Sequence, residues 1–145
     1  MYFIANRSLG YDRFMGIQHF APEGLSKNPA FTQVVSVPKD ARMVFVGGQN
    51  GVDASGQIVA ADLGAQAKKA CENLVIALEA ASAKLDDLVS MRIYLVAGHA
   101  PMPGFQAWRE IWGTRVNPPT ISVLVVAGLA RPDALIEIEG VAAVL

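Results

Sequence analysis

The spacing of hydrophobic and polar positions changes several times along the chain, and each change marks an element. From Phe31 to Val37 the residues alternate and are rich in β-branched side chains, and Arg42 to Val46 repeats the pattern in a shorter run. A period of two puts successive side chains on opposite faces of a strand, so both runs read as strands. Pro38, Lys39 and Asp40 between them supply turn chemistry, and the pair reads as a hairpin. Gly47-Gly48-Gln49-Asn50-Gly51 then reads as a flexible loop, followed by a short extended piece at Gln57 to Val59.

The period lengthens after Asp62. Leu63, Ala67, Ala70, Leu74, Ala77, Leu78 and Ala81 recur at helical spacing, with Lys68, Lys69, Glu72 and Glu79 on the other side. Asp62 can cap this helix, which is expected to run to about Ser82. Lys84 to Asp87 is a turn. Leu88 to Val96 returns to a period of two, with Val89, Met91, Ile93 and Leu95 on one face and Ser90, Arg92 and Tyr94 on a wetter one. Phe105, Trp108, Ile111 and Trp112 predict a second helix from Pro103 to about Thr114, its aromatics serving as core.

Thr120 to Ala127 is a nearly unbroken apolar strand that needs cover on both faces. Helices can cover only one. The other face calls for a second sheet, most simply from another copy of the chain. Ala134 to Val144 closes the pattern, with Ile136 and Ile138 on one face and Glu137 and Glu139 on the other. The order β-β-α-β-α-β-β, without repeats, belongs to the α+β class.

Composition sharpens this picture in three places. Hydrophobic residues make up 52% of 145, more apolar surface than one small domain readily hides, which again points to a homo-oligomer. The net charge of −1 comes from 12 basic and 13 acidic residues without a long run of either sign, so nothing favours nucleic acid as a partner. Cys71 is the single cysteine, which rules out an intrachain disulfide, suits a cytoplasmic home and reads as a small buried apolar residue. No apolar run reaches the roughly 18 residues of a membrane span. Residues 1–14 read as a non-native or flexible leader, or an extension packed on a neighbour, ahead of a single domain at 15–145. His19 to Pro29, crowded with Pro22, Gly24 and Asn28, reads as an entry loop, with regular structure beginning after Pro29.

Familiar cofactor motifs are missing. His19 and His99 lie far apart, both in expected loops, and no His or Cys pair has metal-ligand spacing. Gly47-Gly48-Gln49 lacks the spacing and the Lys-Ser/Thr ending of a P-loop.

Several separated pieces do form a set: Ala21-Pro-Glu-Gly-Leu, Val46-Gly-Gly-Gln, Glu72-Asn73-Leu74 within Gln66 to Leu78, Pro118-Pro119, and Leu135-Ile-Glu-Ile-Glu-Gly-Val-Ala. In this order, from Ala21 to Leu145, they resemble the Rid family, the reactive intermediate deaminases also called YjgF proteins. The resemblance implies a chorismate-mutase-like fold: a mixed β-sheet covered on one face by two helices, three copies closing into a homotrimer with a central barrel. Pockets would lie in the clefts between subunits. It also implies hydrolysis of imines or enamines to ketoacid and ammonia without a cofactor, an arginine holding the substrate carboxylate and a glutamate positioning water.

The chain departs from that pattern where the arginine should stand. The family's Pro-Ala-Arg-Ser/Thr is here Pro118-Pro119-Thr120-Ile121, and the Thr120 hydroxyl cannot replace a permanently charged bidentate fork. Phe31 falls where many members carry tyrosine, and Phe105 where a helix asparagine is usual. The resemblance leaves Glu137 as the catalytic carboxylate, and Phe31, Gly48, Phe105, Thr120 and Ser122 as substrate-binding residues. The ligand expected is a small imine, enamine or related polarised molecule rather than the usual 2-imino acids. A non-catalytic binding or regulatory trimer is the alternative. Arg92, Arg115 and Arg131 read as solvated, although one of them could supply a displaced guanidinium from a neighbouring subunit.

Overall fold

The computed structural model describes residues 15–145; the leader expected at 1–14 lies outside them. Two short strands, β1 (Gln18–Phe20) and β2 (Val34–Ser36), pair antiparallel as a separate ribbon. The main sheet has four strands: β3 (Arg42–Asn50), β4 (Leu88–Val96), β5 (Thr120–Val126) and β6 (Ile136–Val144). Their spatial order is β3-β6-β4-β5, with β4 and β5 parallel and the other neighbours antiparallel. Helices α1 (Leu63–Ala80) and α2 (Met102–Trp112) pack on one face of this mixed sheet, and the architecture is α+β. Among the described residues no helix is long and apolar enough to cross a membrane.

Helix α1 starts where its cap requires. Asp62 stays extended, and its Oδ1 accepts from the Ala65 N–H at 2.9 Å, satisfying a donor that has no partner inside the helix. The helix lays Leu74 and Leu78 against the sheet, where Leu88, Met91 and Ile138 complete a core from which solvent is shut out. Gly140 permits this approach: a Cβ there would stand 2.9 Å from Leu74 Cδ1 and 3.0 Å from Leu88 Cδ1. Because β4 and β5 are parallel, the chain must cross over between them, and α2 is that crossover. Pro103 sits in its first turn and Gly113, at φ 65°, ends it. Trp108 and Trp112 are buried in the core and stacked at 5.3 Å, whereas Phe105 is partly exposed.

Three expectations from the sequence are corrected. The 31–37/42–46 hairpin does not form: β2 pairs with β1, and β3 pairs with β6. Nine-residue β3 finds in nine-residue β6 a partner of its own length, which lets Val44 and Val46 face α1, and a three-residue β2 offers no such match. Regular structure begins before Pro29, because Gln18–Phe20 precedes the Pro22 and Gly24 turns and places His19 in a strand. The glycine loop is also strand: β3 continues to Asn50 through a bulge between Val46 and Gln49 that sets Gly47 and Gly48 against Glu139. Within one chain β5 is the edge strand of the sheet, with Val123 56% and Val125 68% exposed.

Candidate functional site

Strand alternation sorts the expected site residues onto two sides of the sheet. On β6, buried Ile136 and Ile138 face the helices, so Glu137 and Glu139 face the open side. Glu137 pairs across β3 with Asn50, whose Nδ2 donates to Glu137 Oε2 at 3.2 Å and to the Ile136 carbonyl at 2.9 Å. The carboxylate leans over the bulge into the space that a side chain at Gly48 would fill; a Cβ there would collide with Glu137 Oε1. Glu137 and Gly48 thus lie side by side within the chain. Gly48 is glycine for the room its missing side chain leaves.

Glu139 lies on the same face but is otherwise engaged. Tyr94 Oη donates to Glu139 Oε2 at 3.1 Å, and Arg92 Nη1 stands 3.9 Å from the same oxygen. The hydrogen bond to Glu139, followed by burial, pushes the Tyr94 phenol above its usual range. Arg115 and Arg131 pair with Asp86 and Asp133, so the three arginines weighed as stand-ins for the missing guanidinium each face a carboxylate.

Thr120 and Ser122 also face the open side, but at a distance. In the sheet register Thr120 aligns with Ser90 and Val141, four residues from Glu137. That is roughly 13 Å along the strands, with two strand spacings of about 4.8 Å across them. One small substrate cannot touch both within a chain. The Thr120 hydroxyl donates to the Val89 carbonyl at 3.3 Å.

Phe31 and Phe105 are not beside Glu137. They line a cavity of about 360 Å³ on the helix side of the sheet, together with Ile136 and Ile138, the two residues that flank the glutamate. Within one chain, then, Phe31 and Glu137 do not meet: neither aromatic belongs to a strand of this sheet, so neither is tied to the parity that turns Glu137 outward.

Two residues went unrecognised as parts of the site. Asn50 holds Glu137, and Asn73 on α1 holds Asn50, its Nδ2 donating to the Asn50 carbonyl at 3.0 Å and the Val52 carbonyl at 2.9 Å. The available signal was an asparagine in the middle of an otherwise good helix former, Glu72-Asn73-Leu74, where asparagine is disfavoured unless its amide is used.

Among the described residues no cluster of three or more His, Cys, Asp or Glu is placed to hold a metal. Cys71 is buried on α1, and burial, with the nearby Glu72 charge adding to it, pushes its thiol up to about 12. Cys71 is therefore expected to ignore a thiol-disulfide reagent in the native protein and to release one equivalent on denaturation. Rapid release from the folded protein would contradict that.

Comparison with known proteins follows the same lines. Residues 25–144 match the family described as Endoribonuclease L-PSP. A RutC family protein of Pyrococcus abyssi is 30% identical over 127 residues, 81% of this chain and 98% of that one. Among solved structures, the Rid family protein YyfB of Yersinia pestis is 31% identical, superposes with a TM-score of 0.79, and is covered over 100% of its length by 90% of this chain. TdcF of E. coli, solved with bound serine, is 28% identical with a TM-score of 0.65, over 74% of this chain and 84% of that one.

Proposed function

The chain belongs to the endoribonuclease L-PSP family, the Rid/YjgF proteins, and from that membership we propose that it is a cofactor-independent hydrolase of a small imine or enamine lacking an α-carboxylate. One observation carries the reading: Glu137 is held by Asn50 over the open backbone of Gly48, while Glu139 is occupied by Tyr94 and Arg92. Glu137 takes a proton from water as the oxygen attacks the C=N carbon. That proton passes to the nitrogen, giving the neutral carbinolamine, and Glu137 then carries the hydroxyl proton to the amino group as the C–N bond breaks, releasing ammonia and leaving a carbonyl. The bound serine of TdcF supports a small-molecule ligand. RNA cleavage has little behind it in a chain of net charge −1.

The pocket is completed between subunits of a trimer. The wide separation of Thr120 from Glu137, the exposed edge strand β5 and Phe45, 76% exposed on the open sheet face, support this arrangement. Light scattering is expected to give a trimer at micromolar concentration; a monomer would remove the interfacial pocket.

A second reading, a binding trimer without chemistry, is favoured by Thr120, whose hydroxyl is already donated to Val89. Ammonia release separates the two. The hydrolase reading requires release from neutral imines, whereas thermal stabilisation by those compounds without turnover supports the binding protein. Small 2-imino acids are expected to turn over roughly ten- to a hundred-fold more slowly than in an arginine-bearing relative, because a charge-assisted pair of about 1.5–3 kcal/mol is lost. Thr120→Arg should recover part of that. Equal rates with wild type would show that the carboxylate is held elsewhere.

A further inference from the structure

The cavity on the helix side of the sheet takes no part in the chemistry assigned to Glu137. Its floor is Cys71, Met91 and Ile138, all buried, and its outer wall includes Ile121 and Val123 of the edge strand. Asn28, Phe31 and Phe105 also border neighbouring surface grooves, which places them at the lip. Among the described residues no Lys, Arg, His, Asp or Glu lines it, and Asn28 supplies the only side-chain amide. Asn28 Oδ1 accepts from the Ala30 N–H at 2.9 Å, and its Nδ2 bonds to none of the described residues. At about 360 Å³ the cavity falls within the usual range of small-molecule pockets, and it is more than twice the size of an apolar void that already accepts benzene.

We infer that this cavity is a second ligand site, taking an uncharged molecule with an aromatic or branched aliphatic body whose single polar end meets Asn28 at the lip. An anion would be excluded, since a carboxylate carried into these walls meets no cation and only one amide. A polar molecule without a body would gain nothing from Met91, Ile93 and Val123.

The protein carries its own reporter. Trp108 lines the cavity, Trp112 stacks on it, and the chain has only these two tryptophans. Three probes should be titrated against the full chain, following tryptophan emission and melting temperature: phenylacetamide, phenylacetate with the same ring but a charge, and acetamide with the amide but no ring. Phenylacetamide is expected to give a saturable emission change and a rise in Tm, with phenylacetate at least tenfold weaker and acetamide silent. Val123→Phe, on the cavity wall, should weaken phenylacetamide at least tenfold; Val125→Phe, on the same strand face but outside the cavity, should stay within twofold of wild type. The absence of a saturable response to phenylacetamide would overturn the site. So would equal binding of phenylacetate, or equal loss in the two variants. The readout is binding, so a protein without hydrolase activity leaves this site standing, and an active hydrolase that fails these titrations removes this site alone.

Discussion

Glu137→Gln is expected to abolish turnover, by a factor of at least a hundred, with the subunit assembly and melting temperature nearly unchanged. The amide keeps the shape that fits over Gly48 and can still meet Asn50, but it cannot accept the proton of the attacking water. Glu139→Gln should retain most of the rate, because the Glu139 carboxylate is bound to Tyr94 and stands near Arg92. Steady-state ammonia release from the best neutral imine measures both. A dead Glu139 variant, or two fully active variants, would end the carboxylate mechanism and leave the binding trimer as the better reading. Gly48→Ala offers an independent check, since its methyl group would displace the Glu137 carboxylate. It should lose activity without losing the fold.

The largest effect on stability is expected at Gln66. This side chain is fully buried, and all its bonds go to backbone: Nε2 donates to the Ala60 carbonyl at 2.9 Å and the Asp133 carbonyl at 3.1 Å, while Oε1 accepts from the Leu135 N–H at 2.8 Å. It thus ties α1 to the segment that leads into β6, and β6 carries Glu137. Gln66→Ala strands one buried donor and two carbonyls and opens a hole beside them. Each unsatisfied group costs about 1–3 kcal/mol, and a total of roughly 3–5 kcal/mol is expected. In a domain of this size that should lower Tm by roughly 10–20 °C. Gln66→Leu restores volume but none of the hydrogen bonds, and should recover only a small part of the loss. If both variants melt within about 3 °C of wild type, the amide is not the staple that its geometry suggests.

Much of the fold was legible because it is written in local periodicity. The cap at Asp62, the helix beyond it, the strand at Leu88–Val96 and the alternation of Ile136 and Ile138 against Glu137 and Glu139 each depend on residues within a few positions of one another. A period of 3.6 or 2 assigns faces without reference to the rest of the chain. The choice of Glu137 came through the Glu-Ile-Glu ending and its resemblance to a family, whereas the reason for preferring it to Glu139 lies in Tyr94 and Arg92, 45 and 47 positions away.

Only the tertiary structure decided what meets what. The first long strand had a turn and a short strand beside it in sequence, yet it paired with β6 at the far end of the chain, where a partner of equal length lets Val44 and Val46 reach the core. That pairing, and the extra residue it leaves at Gly47 and Gly48, turned an apparent loop into the bulge on which Glu137 rests. Phe31 and Phe105 carry no strand parity that relates them to β6, and the docking of α2, which carries Phe105, puts both on the opposite side of the sheet from the glutamate. The sequence alone determined which face each residue of an element would show, because that is a property of a few adjacent backbone angles. Which faces came together was left to long-range pairing, where length, register and burial across more than eighty residues settle the outcome.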